Sequence, residues 1–304
     1  MDILHVNNQA SVAYLLSRAQ REMGHRSDLL AVSNPMQETP DTSAGGIADI
    51  FLKVMRLAPK YDLVHVHGGI GISGLALYPY KLFGKRFFSH YHGSELREGK
   101  QTSFHSVAER IFVSTPDLLA LRSKVGGREM VHVPNPVDID HITVLDYKAR
   151  LEELEKGEPL RIAHMPSLRS VKGTDNVVRS VEEANKAGCN MVLDIIEKAP
   201  HDEALARLSQ AHLCVDWMSP EFRIYGVVSI EAMARGIPTV CNIDTSLYTP
   251  GVPIVPAGPK DLTKVLIGLV QDVSRLENIS KMSIEYARSN HSPKHCAGII
   301  ERYL

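Results

Sequence analysis

A chain of 304 residues is long enough for two domains of common size. Apolar residues make up 44% and charged residues 23%, an ordinary globular balance, and no apolar run approaches the roughly 20 residues that span a bilayer. The formal net charge of −1 excludes the overall basic character of a nucleic-acid-binding chain, so no nucleic-acid partner is expected.

Residues 1–6 read as a strand, and their start, M-D-I-L-H-V, is unlike a leader peptide. A polar loop at 7–11 leads to a helix over 12–23, phased by Val12, Leu15, Leu16 and Ala19 and ended by Gly24. The next strand is 28–32, followed by a polar loop over 33–46 and an amphipathic helix over 47–57. A strand at 63–67, a helix over 71–83 kinked near Pro79, and strands at 86–92, 111–114 and 130–133 complete a first alternation. Residues 145–156 are charged and helical, in the place of a linker. A second alternation has strands at 160–164, 191–196, 213–217, 237–241 and 253–256, with helices at 174–187, 202–211, 227–235 and 261–271 and a helical tail from 280. Strands alternating with helices predict an α/β protein with parallel sheets covered on both faces. The four cysteines, Cys189, Cys214, Cys241 and Cys296, lie far apart with no C-x-x-C, which points to free thiols and a cytoplasmic location.

The chemistry concentrates after residue 160. From 213 to 242 the chain reads strand, polar loop, helix, strand, the size of one βαβ unit. Gly226 opens the helix, and Gly236 and Pro238 end it. A helix start carries unpaired N–H groups and partial positive charge, which suits phosphate, and glycine lets a ligand approach. Glu231 lies one turn inside, where its carboxylate can accept from sugar hydroxyls. Upstream, M-P-S-L-R-S-V-K-G (165–173) places Arg169 and Lys172 at a second helix entrance, two cations suited to an anionic leaving group.

These stretches resemble family 4 glycosyltransferases of the GT-B fold. Y-G-V-V-S-I-E-A-M-A-R-G-I-P-T-V looks like the family's nucleotide-sugar signature, with Glu231 as its second Glu; the first falls at Arg223, and Glu221 is two places early. Lys172-Gly173 resembles the Lys-Gly pair at the donor diphosphate. Y-H-G-S-E resembles the strand end where a His meets the sugar, here His92, and V-P-N-P-V-D resembles the interdomain segment with Pro136 for its Gly. The resemblance implies two Rossmann-like doubly wound domains facing across a cleft. Residues 1–150 form the acceptor side, with a helix over about 292–304 packing back on it, and residues 151–291 bind the nucleotide sugar. It further implies retaining, metal-independent hexosyl transfer from a UDP- or GDP-sugar to a glycan, lipid-linked or small-molecule acceptor, as in polysaccharide biosynthesis, without a cofactor. Arg169, Lys172 and the N–H groups of Val227 and Val228, behind Gly226, would hold the diphosphate. Glu231 would take the ribose, and Glu221 or Arg223 would stand near the sugar.

Other patterns compete. Arg223 in place of a carboxylate, and a first loop without the family's Gly-Gly, fit a catalytically weak donor-binding subunit of a glycan-assembly complex. Gly69, Gly71 and Gly74 form a G-x-G-x-x-G with Glu95 downstream, the pattern of an NAD- or FAD-dependent oxidoreductase. Two His-x-His pairs, His65 with His67 and His90 with His92, each lie on one strand face, but a metal needs a third ligand and none is apparent. Asp138-x-Asp140 falls in the interdomain segment and is expected to hold no metal. Tyr78, Tyr80, Lys81, Phe83, Lys85 and Arg86, with Lys53, Arg56 and Lys60, fit peripheral contact with the inner face of a membrane.

Overall fold

The structure, a computed structural model, describes residues 1–33, 39–68, 78–82, 84–99, 104–248 and 251–304. The chain divides into two compact units, Met1–Asp138 with His291–Leu304, and Ile139–Asn290.

Unit 1 contains β1 (Asp2–Val6), α1 (Val12–Glu22), β2 (Arg26–Val32), β3 (Thr42–Ala44), α2 (Ile47–Leu57), β4 (Leu63–His67), α3 (Tyr78–Leu82), β5 (Arg86–Tyr91), α4 (Ser94–Arg97), α5 (Phe104–Val107), β6 (Arg110–Val113) and β7 (Val131–His132). Its seven strands are parallel, in the order β3-β2-β1-β4-β5-β6-β7. The chain winds outward from β1 to β3, then restarts at β4 and winds the other way, so the topological switch point lies between β1 and β4. The period of two decides what each face carries. Leu4, Val6, Val64, Val66 and Phe87 face Ile50 and Val54 of α2. Ile3, Leu63, Phe88 and Phe112 face Val12, Leu16 and Ala19 of α1. Toward the carboxyl ends of the same strands that second face carries histidines: His5 is in register with His65, and His67 with His90.

The 33–46 stretch is not all loop, because Thr42–Ala44 adds an edge strand against Leu30–Val32. Three residues are too short to display a period. Most of the helix predicted over 71–83 lies outside the described residues.

Unit 2 contains α6 (Tyr147–Glu155), β8 (Leu160–His164), α7 (Arg169–Lys172), α8 (Thr174–Lys186), β9 (Met191–Ile195), α9 (His201–Leu208), β10 (Leu213–Val215), α10 (Val227–Arg235), β11 (Thr239–Cys241), β12 (Ile254–Pro256) and α11 (Leu262–Gln271); α12 (Val273–His291) then leads back to unit 1. Five parallel strands run β12-β11-β10-β8-β9, with the switch point between β8 and β10. Ile162, Leu213, Val215 and Val240 pack against Val177, Val181, Leu262 and Leu266. Ala163 and Cys214 pack on the other side with Ala232, Ile237 and Leu208. The stretch predicted as a linker is instead part of this core. Tyr147 and Leu151 of α6 are buried in it, and the Tyr147 hydroxyl donates to the His212 carbonyl.

The last helix, α13 (Pro293–Glu301), belongs to unit 1, where Cys296, Ala297 and Ile300 join the α1 face. Arg86 of β5 fixes its end by donating to the carbonyls of Tyr303 and Leu304, the C-terminal counterpart of a cap.

Candidate functional site

The switch point of the unit 2 sheet gathers a lysine, a carboxylate and a helix start. After β8 the chain makes one turn, α7, and leaves it through Gly173 at φ 70°. A Cβ on Gly173 would stand 2.4 Å from the Met218 carbonyl oxygen, so this turn lies directly on the exit of β10. Met218 N–H donates to the Lys172 carbonyl at 2.9 Å, which ties the two segments together. Lys172 is thereby delivered to Asp216, which follows β10. Its Nζ donates to Asp216 Oδ1 at 2.5 Å, with the side chains only 7% and 1% exposed. Nζ also sits 4.1 Å from the Trp217 ring centroid, a cation–π contact.

Asp216 Oδ2 accepts from Ser229 Oγ at 2.7 Å and from the Gly226 N–H at 3.2 Å. Burial pushes this carboxyl up, but the Lys172 charge and these hydrogen bonds outweigh it and hold it below the ordinary carboxylate range. Gly226 is a close-approach glycine. A Cβ there would lie 2.9 Å from Trp217 Nε1 and 3.2 Å from Lys172 Nζ. Lys172 and Gly226 therefore share one site, and Val227 and Val228 open α10 beside it.

Glu231 is buried on the second turn of α10, where its Oε1 meets His201 Nε2 at 2.8 Å. Arg169 is drawn away from the cluster. Its exposed guanidinium donates to Glu197 at 2.6 and 3.0 Å, apart from the Lys172–Asp216 pair. Arg223 is exposed and pairs with Asp244 at 3.3 Å, while Glu221 is exposed with its N–H on Ser219 Oγ. Neither stands in the Lys172 cluster.

No family model and no curated protein sequence matches the chain. Solved structures do match it along its whole length. Anabaena HepE in complex with UDP superposes with a TM-score of 0.67 at 14% identity, covering 100% of this chain and 99% of that one. Sucrose-phosphate synthase from Thermosynechococcus elongatus gives 0.70 at 14% identity, with 100% and 98% covered. UDP-GlcNAc 2-epimerase from Neisseria meningitidis, bound to UDP-GlcNAc, gives 0.58 at 13% identity, with 100% and 99% covered. The fold is GT-B. At these identities the likeness concerns the fold alone.

In unit 1, His92 follows β5 and ends the histidine-bearing face of the sheet. Both of its ring nitrogens are engaged inside the unit, Nε2 with His67 Nδ1 at 3.2 Å and Nδ1 with Ser114 Oγ at 2.9 Å. The other unit 1 patterns resolve as follows. Asp138 pairs with Arg18 through both carboxylate oxygens, so it is a structural partner. Tyr80 and Lys85 of the basic–aromatic patch bond to the Met55 and Tyr61 carbonyls, while Tyr78 and Leu82 are exposed. Among the described residues no helix is long and apolar enough to cross a membrane. Gly69, Gly71 and Gly74 lie outside the described residues.

Asp216, Ser229 and Trp217 complete the unit 2 cluster and carry no motif of their own. One signal is legible: L-C-V-D ends an otherwise buried strand on a carboxylate, at the carboxyl end of the sheet where ligands bind in α/β folds.

Proposed function

We propose that the protein is a retaining glycosyltransferase whose nucleotide-sugar donor binds in unit 2. What supports the reading is the convergence of the Lys172 ammonium, Gly226 and the first turn of α10 at one switch point, in a chain of GT-B fold. The nucleoside diphosphate leaves with the bonding electron pair, and a preorganised cation plus helix N–H groups stabilise that negative charge as it develops. In this scheme Lys172 moves from Asp216 to the diphosphate, the Val227 and Val228 N–H groups bind its oxygens, and Glu231 accepts from the ribose hydroxyls. The bond from the anomeric carbon to the phosphate oxygen breaks while the bond to the acceptor oxygen forms on the same face. The acceptor proton passes to the leaving phosphate. No protein nucleophile enters; both Asp216 oxygens are engaged and suit a role in positioning Lys172. The work of the protein is then orientation and charge stabilisation.

A UDP-hexose is the first donor to test, because HepE has been solved with UDP-glucose. The acceptor is a glycan, a lipid-linked saccharide or a small molecule. A second reading, donor binding without turnover, is favoured by one observation: Lys172 is already matched by Asp216. Incubation with UDP-, GDP- and ADP-sugars, read by thermal protection and by release of free nucleotide, separates the two. Protection with slow hydrolysis supports the transferase, protection without hydrolysis supports the binding subunit, and absence of protection by every donor rejects both. UDP-GlcNAc in the panel, read for inversion at C2, tests the chemistry of the epimerase neighbours.

A further inference from the structure

The α1 face of the unit 1 sheet buries a row of imidazoles that the donor chemistry does not use. His5, His65, His67 and His90 are each at most 1% exposed, and His92 is half-buried at the end of the row. A core that needed only volume would be filled by side chains without polar nitrogens. Among the described residues, His65 has no hydrogen-bond partner on either nitrogen, and His90 has none on Nδ1.

We propose that His67, His90 and His92 bind one divalent transition-metal ion of the zinc class at the carboxyl ends of β4 and β5. One nitrogen from each ring lies within 4.8 Å of the others. His67 Nδ1 and His92 Nε2 are 3.2 Å apart. A tetrahedral ion with metal–nitrogen bonds of about 2.0–2.1 Å separates its ligand nitrogens by about 3.4 Å. Closing the three nitrogens on an ion therefore takes small ring movements and no change of fold, and it leaves a fourth position for water.

The surrounding hydrogen bonds set the tautomers this needs. Gln20 Oε1 accepts from His5 Nε2 at 2.7 Å, so neutral His5 presents a lone pair on Nδ1. That lone pair takes the His67 Nε2–H at 2.9 Å, which leaves His67 Nδ1 as the bare nitrogen. Ser114 Oγ stands 3.1 Å from His90 Nε2 and 2.9 Å from His92 Nδ1. With two lone pairs it can accept an N–H from both rings, freeing His90 Nδ1 and His92 Nε2. His5, Gln20 and Ser114 thus orient the ligands from the second layer, as such partners do in metal centres.

Charge supports the placement. Glu95 Oε1 accepts the His92 backbone N–H at 2.6 Å, while the buried Oε2 has no partner among the described residues. A dication beside this carboxylate compensates it. The alternative triad, His5, His65 and His67, is wholly buried, and the His5 Nδ1 lone pair it would need is the one that fixes the His67 tautomer. The chosen triad includes the half-buried His92, through which an ion can reach the site.

The test is a titration of EDTA-treated full-length protein with Co(II) and with Zn(II), followed by calorimetry and by the visible absorption of tetrahedral Co(II). One equivalent is expected to bind with that spectrum. His67→Gln and His90→Gln should each weaken binding about 100-fold or more, Ser114→Ala about 10-fold, and His65→Gln less than about 3-fold. Absence of the Co(II) spectrum overturns the proposal. So does binding that survives both His67→Gln and His90→Gln, or binding lost in His65→Gln but kept in His90→Gln. Should a variant fail to fold, the wild-type protein still decides the matter. One equivalent of zinc should raise its Tm where magnesium does not, and no rise with zinc refutes the site. None of these readouts depends on the donor-site proposal.

Discussion

Lys172 and Asp216 form a buried ion pair, Nζ to Oδ1 2.5 Å, built from the segments that leave β8 and β10. The pair serves the fold and the proposed donor site together, and the two roles separate by mutation. Removing one partner of a buried pair leaves an uncompensated charge and costs roughly 3–5 kcal/mol. Lys172→Met should therefore destabilise unit 2 by several kcal/mol and abolish nucleotide protection. Adding Asp216→Asn should restore most of the stability, measured by urea unfolding, and none of the nucleotide binding, measured by calorimetry.

Two glycines of the same cluster should respond differently to alanine. At Gly173 the backbone is left-handed, which disfavours alanine by roughly 1–2 kcal/mol, and the added Cβ would meet the Met218 carbonyl at 2.4 Å. Backbone cannot give way there, so Gly173→Ala should lower Tm sharply. Gly226 has an ordinary φ of −110°, and its Cβ would meet the Trp217 and Lys172 side chains. Gly226→Ala should lower Tm less and weaken nucleotide binding about 10-fold or more, an order-of-magnitude figure for one blocked contact.

Glu231 and His201 meet at 2.8 Å, but only the carboxylate is buried. If the carboxylate receives the ribose, Glu231→Gln should weaken nucleotide binding about 10-fold, whereas His201→Ala should change it by less than about 2-fold. Calorimetric titration with UDP checks both.

Unit 1 should lose stability in mild acid through His291. Burial outweighs the hydrogen bond to the Asn135 carbonyl and pushes this ring down to about 4, against an ordinary 6.5. The unfolded chain then takes up the proton first. The contribution is complete above pH 6.5 and is lost as the pH falls toward 4. Tm measured across that window should fall in the wild type and fall less in His291→Gln.

Much of the architecture could be read before any coordinates, because both alternations carry strong periods and clear stop signals such as Gly24 and Gly236. The Lys172–Gly226 juxtaposition was also legible, since each residue announces a helix entrance. Asp216 was harder to interpret: a carboxylate after a strand has many uses, and its partners lie 44 and 13 residues away. The distraction of Arg169 by Glu197 rests on a contact 28 residues distant and leaves no local trace. The histidine row was visible only as two separate pairs. It needed the β1–β4 and β4–β5 registers, which no spacing within one strand reveals, to bring His5, His65, His67 and His90 onto one face.

The return of residues 291–304 to unit 1 has a kinetic meaning. The second unit is whole within Ile139–Asn290, so it can finish packing as soon as that stretch has been synthesised. The first cannot seal its α1 face until Cys296, Ala297 and Ile300 arrive. Completing unit 1 therefore requires closure between residues 12–19 and residues 296–300 across the whole of unit 2, a long-range contact that carries the entropy cost of a large loop.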